Sequence, residues 1–250
     1  MFYCYGISEK GNTRRHNEDA FMINKIILSH SEIEGKADYP FIVAVADGVA
    51  GESNGEKASK LSLQLLSNIK YSSKTDLKKK ISDIHENIRS YGINHEGSLN
   101  MQTTLCALAV DENGEATFIN VGDSRMHRLS GGELTQLTKD QSLVQLLVDL
   151  GEITPDEAKN HSKKHVIISS VGNIEQPPEP QIESFGKLEE NDIILISTDG
   201  LSDYLSDEEI KEILTKNIPH RKKLKELVEL AMKNGSKDNI TAIIVSGKEQ

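Results

Sequence analysis

The chain has 250 residues, enough for one sizeable α/β or α+β domain with its own core. Its 29 Lys and Arg residues against 39 Asp and Glu give a net charge of −10, which disfavours nucleic acid and anionic membranes as partners. Trp is absent and aromatic residues make up 4%, which disfavours a stacking platform for single-stranded nucleic acid.

Targeting and redox signals are few. No apolar stretch approaches the roughly 18 residues of a membrane span, and the N-terminus lacks a signal-peptide pattern. Cys4 and Cys106 do not form a disulfide scaffold, and Cys106 lies in an apolar run that is typical of a core. We therefore expect a cytoplasmic protein.

Apolar periodicity predicts the elements in chain order. In the first half it predicts strands over 18–29, 40–47, 103–110, 115–121, 125–129 and 133–137, and helices over 53–70 and 75–91. Ser53 is the expected N-cap of the first helix. The second half predicts helices over 142–150, 154–160, 206–216 and 220–233, and strands over 165–169, 181–185, 192–198 and 239–246. Strand and helix do not alternate throughout, so the fold class is α+β.

Four β-branched runs adjoin an aspartate. Asp47, Asp123 and Asp199 each follow such a run, and Asp238 precedes one. If the strands lie side by side, their ends bring carboxylates together, and two charges about 4 Å apart repel by about 4 kcal/mol at an effective dielectric near 20. Hard divalent cations relieve such repulsion, so the pattern predicts a metal site.

A simpler interpretation exists for two of these positions. Asp47-Gly48 and Asp199-Gly200 are ordinary turn signals, and taken singly each pair favours a turn. Taken with Asp123 and Asp238, the shared pattern favours ligands instead. A glycine after a ligand also leaves a backbone carbonyl free to face a cation.

The segment over 11–19 concentrates cations, an amide and acids. One interpretation is a solvated turn before a strand. The functional interpretation makes Arg14 a bidentate phosphate clamp and Asp19 an acceptor for metal-bound water.

Seven groups of motifs occur in order through nearly the whole chain. They are G-x-x-R-x-x-N-E-D over 11–19, V-A-D-G-V-A-G over 45–51, T-T at 103–104, V-G-D-S-R over 121–125, S-L-V at 142–144 with G-E-I-T at 151–154, S-T-D-G-L-S-D over 197–203, and K-D-N-I-T over 237–241. Each is weak evidence alone, but their joint order is highly specific. With them the chain resembles the type-2C, metal-dependent (PPM) protein phosphatases, particularly the compact bacterial members.

The resemblance implies a four-layer αββα sandwich, with two central antiparallel sheets flanked by helices. It implies one catalytic domain over 1–250, with a flap region at about 140–173. The implied activity is hydrolysis of phosphoserine and phosphothreonine in proteins, with the targets of a serine/threonine kinase as substrates. We expect a monomer, because no strong apolar surface stripe is left over.

The resemblance also implies a set of site residues. These are Asp47, Gly48, Asp199 and Asp238 for two Mn²⁺ or Mg²⁺ ions, Glu18 and Asp19 for coordinated waters, Asp123 and Asp203 for a possible third ion, and Arg14 for the substrate phosphate. Asp47 would bridge the two ions, and Arg14, Asp19 and Asp47 form the implied catalytic set. A hydroxide between the ions would attack phosphorus in line, without a phosphoenzyme.

Three positions depart from the pattern of relatives. Val49 stands where some relatives carry a histidine proposed as general acid, so the leaving alkoxide must take its proton from metal-bound water or another group. His16 is near in sequence, although a solvated turn histidine is the simpler interpretation. Gln102 and Gln141 replace a usual glycine and histidine, which predicts altered substrate or flap contacts.

His161 and His165 lie four residues apart in the flap region. On a helix this spacing suits zinc, but no His-Glu-x-x-His pattern is present. We expect a loop or strand start here, whose Lys163 and Lys164 form a basic rim for phosphoprotein substrates.

Two other functions fit the sequence less well. A catalytically silent sensor on the same fold is disfavoured, because all the implied metal ligands are present. A P-loop hydrolase, prompted by the glycines and lysine over 51–57, is rejected because only three residues separate the glycines and Glu56 precedes Lys57.

Overall fold

Two six-stranded antiparallel sheets pack face to face, with helices on both outer faces. The computed structural model describes residues 1–49 and 54–249. The strands of this part are β1 (Phe2–Glu9), β2 (Asp19–Ile23), β3 (Ile26–Leu28), β4 (Ser31–Ala37), β5 (Phe41–Asp47), β6 (Leu105–Val110), β7 (Glu115–Val121), β8 (Arg125–Ser130), β9 (Glu133–Gln136), β10 (Gln181–Lys187), β11 (Ile193–Ser197) and β12 (Ile240–Ser246).

The strand order places the predicted aspartates at strand ends in both sheets. One sheet runs β4-β1-β12-β11-β8-β9, and the other runs β10-β7-β6-β5-β2-β3. The helices of the described residues are α1 (Gly55–Ser67), α2 (Leu77–Asn94), α3 (Leu143–Asp149), α4 (Pro155–Lys159), α5 (Asp199–Ser202), α6 (Asp207–Thr215) and α7 (His220–Lys233).

Three apolar clusters separate the four layers. Phe21, Leu108 and Ile196 belong to the cluster between the two sheets. A second cluster lies between α1, α2 and the sheet that contains β5, and a third lies between α5, α6, α7 and the sheet that contains β12. The burial follows from the sequence: side chains of a strand alternate between two faces, and here both faces are covered. The predicted αββα sandwich is confirmed.

Several predicted elements differ from the observed ones. The segment over 18–29 is a hairpin, β2 and β3, because Asn24 and Lys25 adopt positive φ and turn the chain. The strand predicted over 165–169 is wrong: the segment makes only an isolated bridge, between Ser142 and Ile167. Strands β1 and β4 and the one-turn helix α5 were not predicted.

The N-terminus of α1 also differs. The predicted cap, Ser53, lies outside the described residues, as do Ala50 and Gly51 of the second motif. The helix begins at Gly55, and the residue at its N-cap position is Asn54, in the left-handed conformation.

Two further features concern the chain as a whole. Cys106 is a buried free thiol, as predicted, and Cys4 is a second buried free thiol. Over 1–49 and 54–249, none of the helices has the length and apolar character needed to cross a membrane.

Candidate metal centre

Strand ends from both sheets meet at one edge of the sandwich. Asp19, at the start of β2, pairs directly with Asp47, at the end of β5. Asp199 begins α5 directly after β11, and Asp238 lies just before β12, the strand beside β11. The Thr198 hydroxyl donates a hydrogen bond to Asp19 Oδ2 over 2.9 Å and so joins the two sheets at this point.

Asp19 is almost fully inside the protein, with 1% of its surface exposed. Its second oxygen, Oδ1, is buried and finds no hydrogen-bond partner among the described residues. Burial raises the pKa of Asp19 to about 7, and the charges of Asp238 and Asp199 act in the same direction. The pocket therefore disfavours a bare carboxylate at this position.

Burial and neighbouring carboxylates also disfavour the ionised form of Asp47. Burial raises the pKa of Asp47 well above its usual range, and Asp19, Asp199 and Asp238 raise it further. Asp199 Oδ1 is a second buried oxygen without a partner in the described part of the chain. Orphaned buried oxygens and crowded carboxylates fit hard divalent cations, which take oxygen ligands. The residues present therefore fit the metal group that the sequence implied.

The backbone around Asp47 is held by two threonines. The Thr103 hydroxyl donates to the Asp47 carbonyl, and Asp47 N–H donates to Thr104 Oγ1 over 3.0 Å. A side chain at Gly48 would collide with the backbone of Gly55, so only glycine fits here. This fixed backbone sets the position of the Asp47 carboxylate.

Arg14 lies beside the group of carboxylates rather than in a solvated turn. Its Nη2 is 2.6 Å from Asp238 Oδ2. Asn239 holds the segment over 11–19 beside Asp238. Its Oδ1 accepts a hydrogen bond from Glu18 N–H, and its Nδ2 donates hydrogen bonds to the carbonyls of Lys10 and His16. Glu18, the predicted water ligand, follows on this fixed segment, and burial raises its pKa.

A second group of charges surrounds Asp123 and Asp203. Burial and nearby Asp199 raise the pKa of Asp123 well above its usual range. Arg125 binds Asp140 with two nitrogens, at 3.0 and 2.6 Å, and reaches Asp203 Oδ1 at 3.0 Å. Asp140 was missed by sequence reasoning, and its position directly before Gln141, in the predicted flap, was the available signal.

The two flap histidines have different surroundings. His161 Nδ1 accepts a hydrogen bond from the backbone of Lys163 and closes a turn. His165 Nδ1 instead lies 3.8 Å from Asp199 Oδ2 and 3.9 Å from Asp203 Oδ2. Sequence reasoning placed His165 in a basic rim and missed this approach to the acids.

The two unusual glutamines both contact the flap. Gln102 Oε1 accepts from the Ser170 hydroxyl over 2.6 Å, and the Gln102 carbonyl accepts from Val49 N–H. Gln141 Oε1 accepts from Gly122 N–H, and its backbone carbonyl accepts from Ile168 N–H. Both glutamines therefore take part in hydrogen bonds of the flap region, and the altered contacts expected at these positions stay a prediction.

Comparisons with known proteins agree with the fold and identify the family. The family model for protein phosphatase 2C matches residues 16–244. A curated relative is the protein phosphatase PhpP of Streptococcus pneumoniae, which is 35% identical over 218 residues, 84% of this chain and 87% of the relative.

Two solved structures superpose over almost the full length. The serine/threonine phosphatase of S. agalactiae has a TM-score of 0.83 and 27% identity, covering 99% of this chain and 100% of the other. The catalytic domain of the serine/threonine protein phosphatase PstP, in complex with two manganese ions, has a TM-score of 0.78 and 30% identity, covering 98% and 99%.

Proposed function

This chain belongs to the protein phosphatase 2C family and is a serine/threonine protein phosphatase, and we propose that it hydrolyses its substrates directly at a two-metal centre, without a phosphoenzyme. The observation that carries the proposal is the set of buried carboxylates at one edge of the sandwich. Asp19 and Asp199 each have an oxygen that is buried without a partner in the described residues. Only cations or protons make such a set stable.

We assign the ions to the predicted ligands. Asp47 and the Gly48 carbonyl would hold one ion, Asp47 would also serve the second, and Asp199 and Asp238 would complete that second ion's protein ligands. Glu18 and Asp19 would bind water near the ions, which their place beside Asp238 and Asp47 supports. When bound, two divalent cations lower the pKa of the water between them, supply hydroxide as the nucleophile and offset charge on the phosphoryl oxygens.

The chain's own groups position the substrate. Arg14 offers a planar guanidinium that suits a phosphate, and its contact with Asp238 keeps it at the edge of the centre. The Asp238 carboxylate thus orients Arg14 until phosphate arrives. The hydrogen bonds of Thr103 and Thr104 hold the backbone of Asp47 in place while the phosphoryl group reacts.

The proton for the leaving alkoxide must come from a group other than residue 49. Val49 has no titratable group, and the nearby His16 is exposed. We propose that solvent within the site supplies this proton. The pH profile of the hydrolysis rate should therefore show no ionisation step from a histidine at position 49.

Several finer points extend the proposal. The manganese complex of PstP supports Mn²⁺ as a cofactor, and the oxygen ligands also suit Mg²⁺. Asp123 and Asp203 are the candidates for a third ion. Residues 1–250 would form one monomeric, cytoplasmic catalytic domain with its flap at about 140–173, acting on phosphoproteins made by a serine/threonine kinase.

The absence of a phosphoenzyme is testable by rapid acid quench. A ³²P-labelled phosphothreonine peptide is mixed with the Mn²⁺-loaded protein, and label on the protein is measured through the first turnover. We expect phosphate release at the steady rate from the start and no acid-stable label on the protein. A stoichiometric burst of labelled protein would overturn direct hydrolysis, and complete loss of turnover in EDTA is the control for metal dependence.

A further inference from the structure

Three short segments lie side by side beyond the end of β5. Thr103 pairs with Gly48 on one side and with Val171 on the other, both antiparallel. The N–H and carbonyl of Thr103 exchange hydrogen bonds with Val171 over 3.0 and 2.9 Å. On its other side, the Thr103 hydroxyl donates to the Asp47 carbonyl over 2.8 Å. The backbone of Asp47 and Gly48 therefore depends on residues 170–172, the end of the flap region, which we call the flap return.

A buried histidine of α2 holds the flap return. His85 has 2% of its surface exposed, and its Nδ1 accepts a hydrogen bond from Gly172 N–H over 3.0 Å. That N–H has no other acceptor among residues 1–49 and 54–249. The other ring nitrogen, Nε2, lies 3.8 Å from Glu86 Oε1, which is beyond hydrogen-bond range. Within the described part of the chain, the bond to Gly172 is thus the one hydrogen bond of this ring.

The charge state of His85 suits an acceptor. Burial lowers the pKa of His85, and the opposing effect of Glu86 is smaller, so the ring is neutral at pH 7. A neutral imidazole has one nitrogen that accepts and one that donates. Because Nδ1 faces an N–H, it is the accepting nitrogen.

The flap return has little freedom to move without consequence. Gly172 has a φ of +91°, and a Cβ at this position would collide with the Met101 carbonyl. The Ser170 hydroxyl donates to Gln102 Oε1 over 2.6 Å, so both ends of the flap return are fixed by side chains. A buried N–H without an acceptor is costly. Loss of the His85 acceptor should therefore displace the flap return rather than leave Gly172 N–H unpaired.

We propose that His85 is a positioning residue of the metal centre, which fixes the flap return against Thr103 and thereby sets the places of the Asp47 carboxylate and the Gly48 carbonyl. The inference rests on the proposed function, because these two groups are metal ligands only in the two-metal centre. Residues that orient metal ligands contribute about 10- to 100-fold to metal affinity. His85 acts through the flap return and Thr103, so we expect an effect at the lower end of that range.

The simpler role for a buried histidine is packing alone. Its replacement would then lower the stability of the protein but not the Mn²⁺ affinity of the folded chain. His85→Asn and His85→Leu separate the two roles. Asparagine keeps an acceptor at the position of Nδ1, because its Oδ1 is the same number of bonds from Cβ, whereas leucine keeps the bulk and has no acceptor. If His85→Leu does not fold, His85→Gln replaces it, since its acceptor lies one bond further from the backbone.

Two matched controls come from the same helix. Ile81 is fully buried in α2 and makes no polar contact, so Ile81→Val reports the effect of lost packing. His95 is exposed at the C-terminal end of α2, and His95→Leu reports the effect of losing a histidine elsewhere.

The first measurement is Mn²⁺ affinity. Equilibrium dialysis of the full chain is done at a temperature at which circular dichroism shows every variant to be folded. We expect His85→Leu to bind Mn²⁺ about tenfold more weakly than the wild type, and His85→Asn to recover most of that loss. Both control variants should stay within about twofold of the wild type.

The second measurement follows the backbone and needs no metal. Thr103 N–H donates to the Val171 carbonyl, and Thr104 N–H donates to the Asp47 carbonyl. In the metal-free protein, we expect hydrogen exchange at these two amides and at Gly172 to be faster in His85→Leu than in the wild type. His85→Asn should return all three amides toward the wild-type rate.

The outcomes separate this inference from the proposed function. Unchanged Mn²⁺ affinity in His85→Leu, an equal loss in Ile81→Val, or faster exchange confined to Gly172 overturns the inference and leaves the two-metal centre standing. A failure of His85→Asn to recover affinity also overturns it. A wild type that binds no Mn²⁺, or that hydrolyses phosphopeptide in EDTA, overturns the proposed function and the inference with it.

Discussion

Asp19 and Asp47 face each other as a directly paired couple at the end of the β2–β5 ladder. Like charges opposite each other on neighbouring strands destabilise a sheet, and burial increases the cost here. The pair is therefore a place where the fold departs from what stability alone requires. The proposed cations at this edge would offset the repulsion and would also serve the chemistry.

The metal-free protein should lose stability as pH rises. The pKa of Asp19 is raised to about 7 in the folded state, above about 3.9 for an unperturbed aspartate, so the folded state holds the proton more tightly. This contribution is complete below about pH 4 and is lost as pH rises toward 7. In EDTA, urea unfolding at pH 5 and pH 7.5 should show Asp19→Asn gaining stability over the wild type at the higher pH.

Mn²⁺ provides the control for that prediction. Added ions should restore the wild type at pH 7.5 and should do less for Asp19→Asn. An equal difference between the two proteins at both pH values would contradict the raised pKa of Asp19.

Asp47→Asn should separate folding from metal binding. The amide keeps the shape and removes a buried charge, so the metal-free variant should unfold at the same temperature as the wild type or higher. A cation at 100 times its Kd stabilises a protein by about 2.7 kcal/mol, and this gain should be absent in the variant. Phosphopeptide turnover should fall by about 100-fold or more, because a shared ligand is lost.

Thermal unfolding with and without Mn²⁺ checks the first part, and initial rates check the second. Asp140→Asn is an informative comparison, because Asp140 is bound by Arg125 and is not an assigned ligand of the first two ions. If Asp47→Asn gained as much from Mn²⁺ as the wild type does, the assignment of Asp47 would be wrong.

Arg14→Ala should weaken phosphate binding selectively. Arg14 is held 2.6 Å from Asp238, whereas its neighbour Arg15 is exposed and makes no ion pair within the described residues. Loss of charge-assisted hydrogen bonds, each about 1.5 to 3 kcal/mol, should lower kcat/KM by about 10- to 100-fold. Arg15→Ala should leave kcat/KM within about twofold of the wild type, and equal losses in the two variants would show that general surface charge is responsible.

Thr198→Val should remove a hydrogen bond that connects the two sheets. Thr198 Oγ1 donates to Asp19 Oδ2 and accepts from Thr241 N–H over 3.1 Å. Valine has the same shape but leaves two buried polar groups unpaired, which should cost about 1 to 3 kcal/mol of unfolding free energy. Urea unfolding measures the loss. Thr215→Val, on the exposed face of α6, should cost far less.

The convergence of the aspartates could be predicted from the sequence, whereas strands β1 and β4 could not. Asp47, Asp199 and Asp238 adjoin short apolar strands, and their convergence follows once those strands are neighbours. The motif order supplied the family, which also fixed the four layers. The pairing of Asp19 with Asp47 was not visible, because register between strands depends on contacts across the whole sheet.

The missed elements have local causes. Strand β1 carries polar and glycine residues among its apolar ones, and its burial comes from the layers on both faces of its sheet, with Phe2 and Cys4 in the cluster between the sheets and Tyr5 and Ile7 in the cluster beneath the outer helices. The strand predicted over 165–169 fails because the turn at His161 and the contacts of Gln141 direct this segment toward the acids. The role of Asp140 was also missed, since its partner Arg125 lies 15 residues away.

The most direct test of the central claim is a titration of Mn²⁺ into the metal-free protein while phosphothreonine peptide hydrolysis is followed. For the wild type we predict no turnover in EDTA and a rate that reaches its plateau once two ions are bound per chain. Asp47→Asn should stay near background throughout. Hydrolysis by the metal-free wild type, or full activity of Asp47→Asn, would contradict the account.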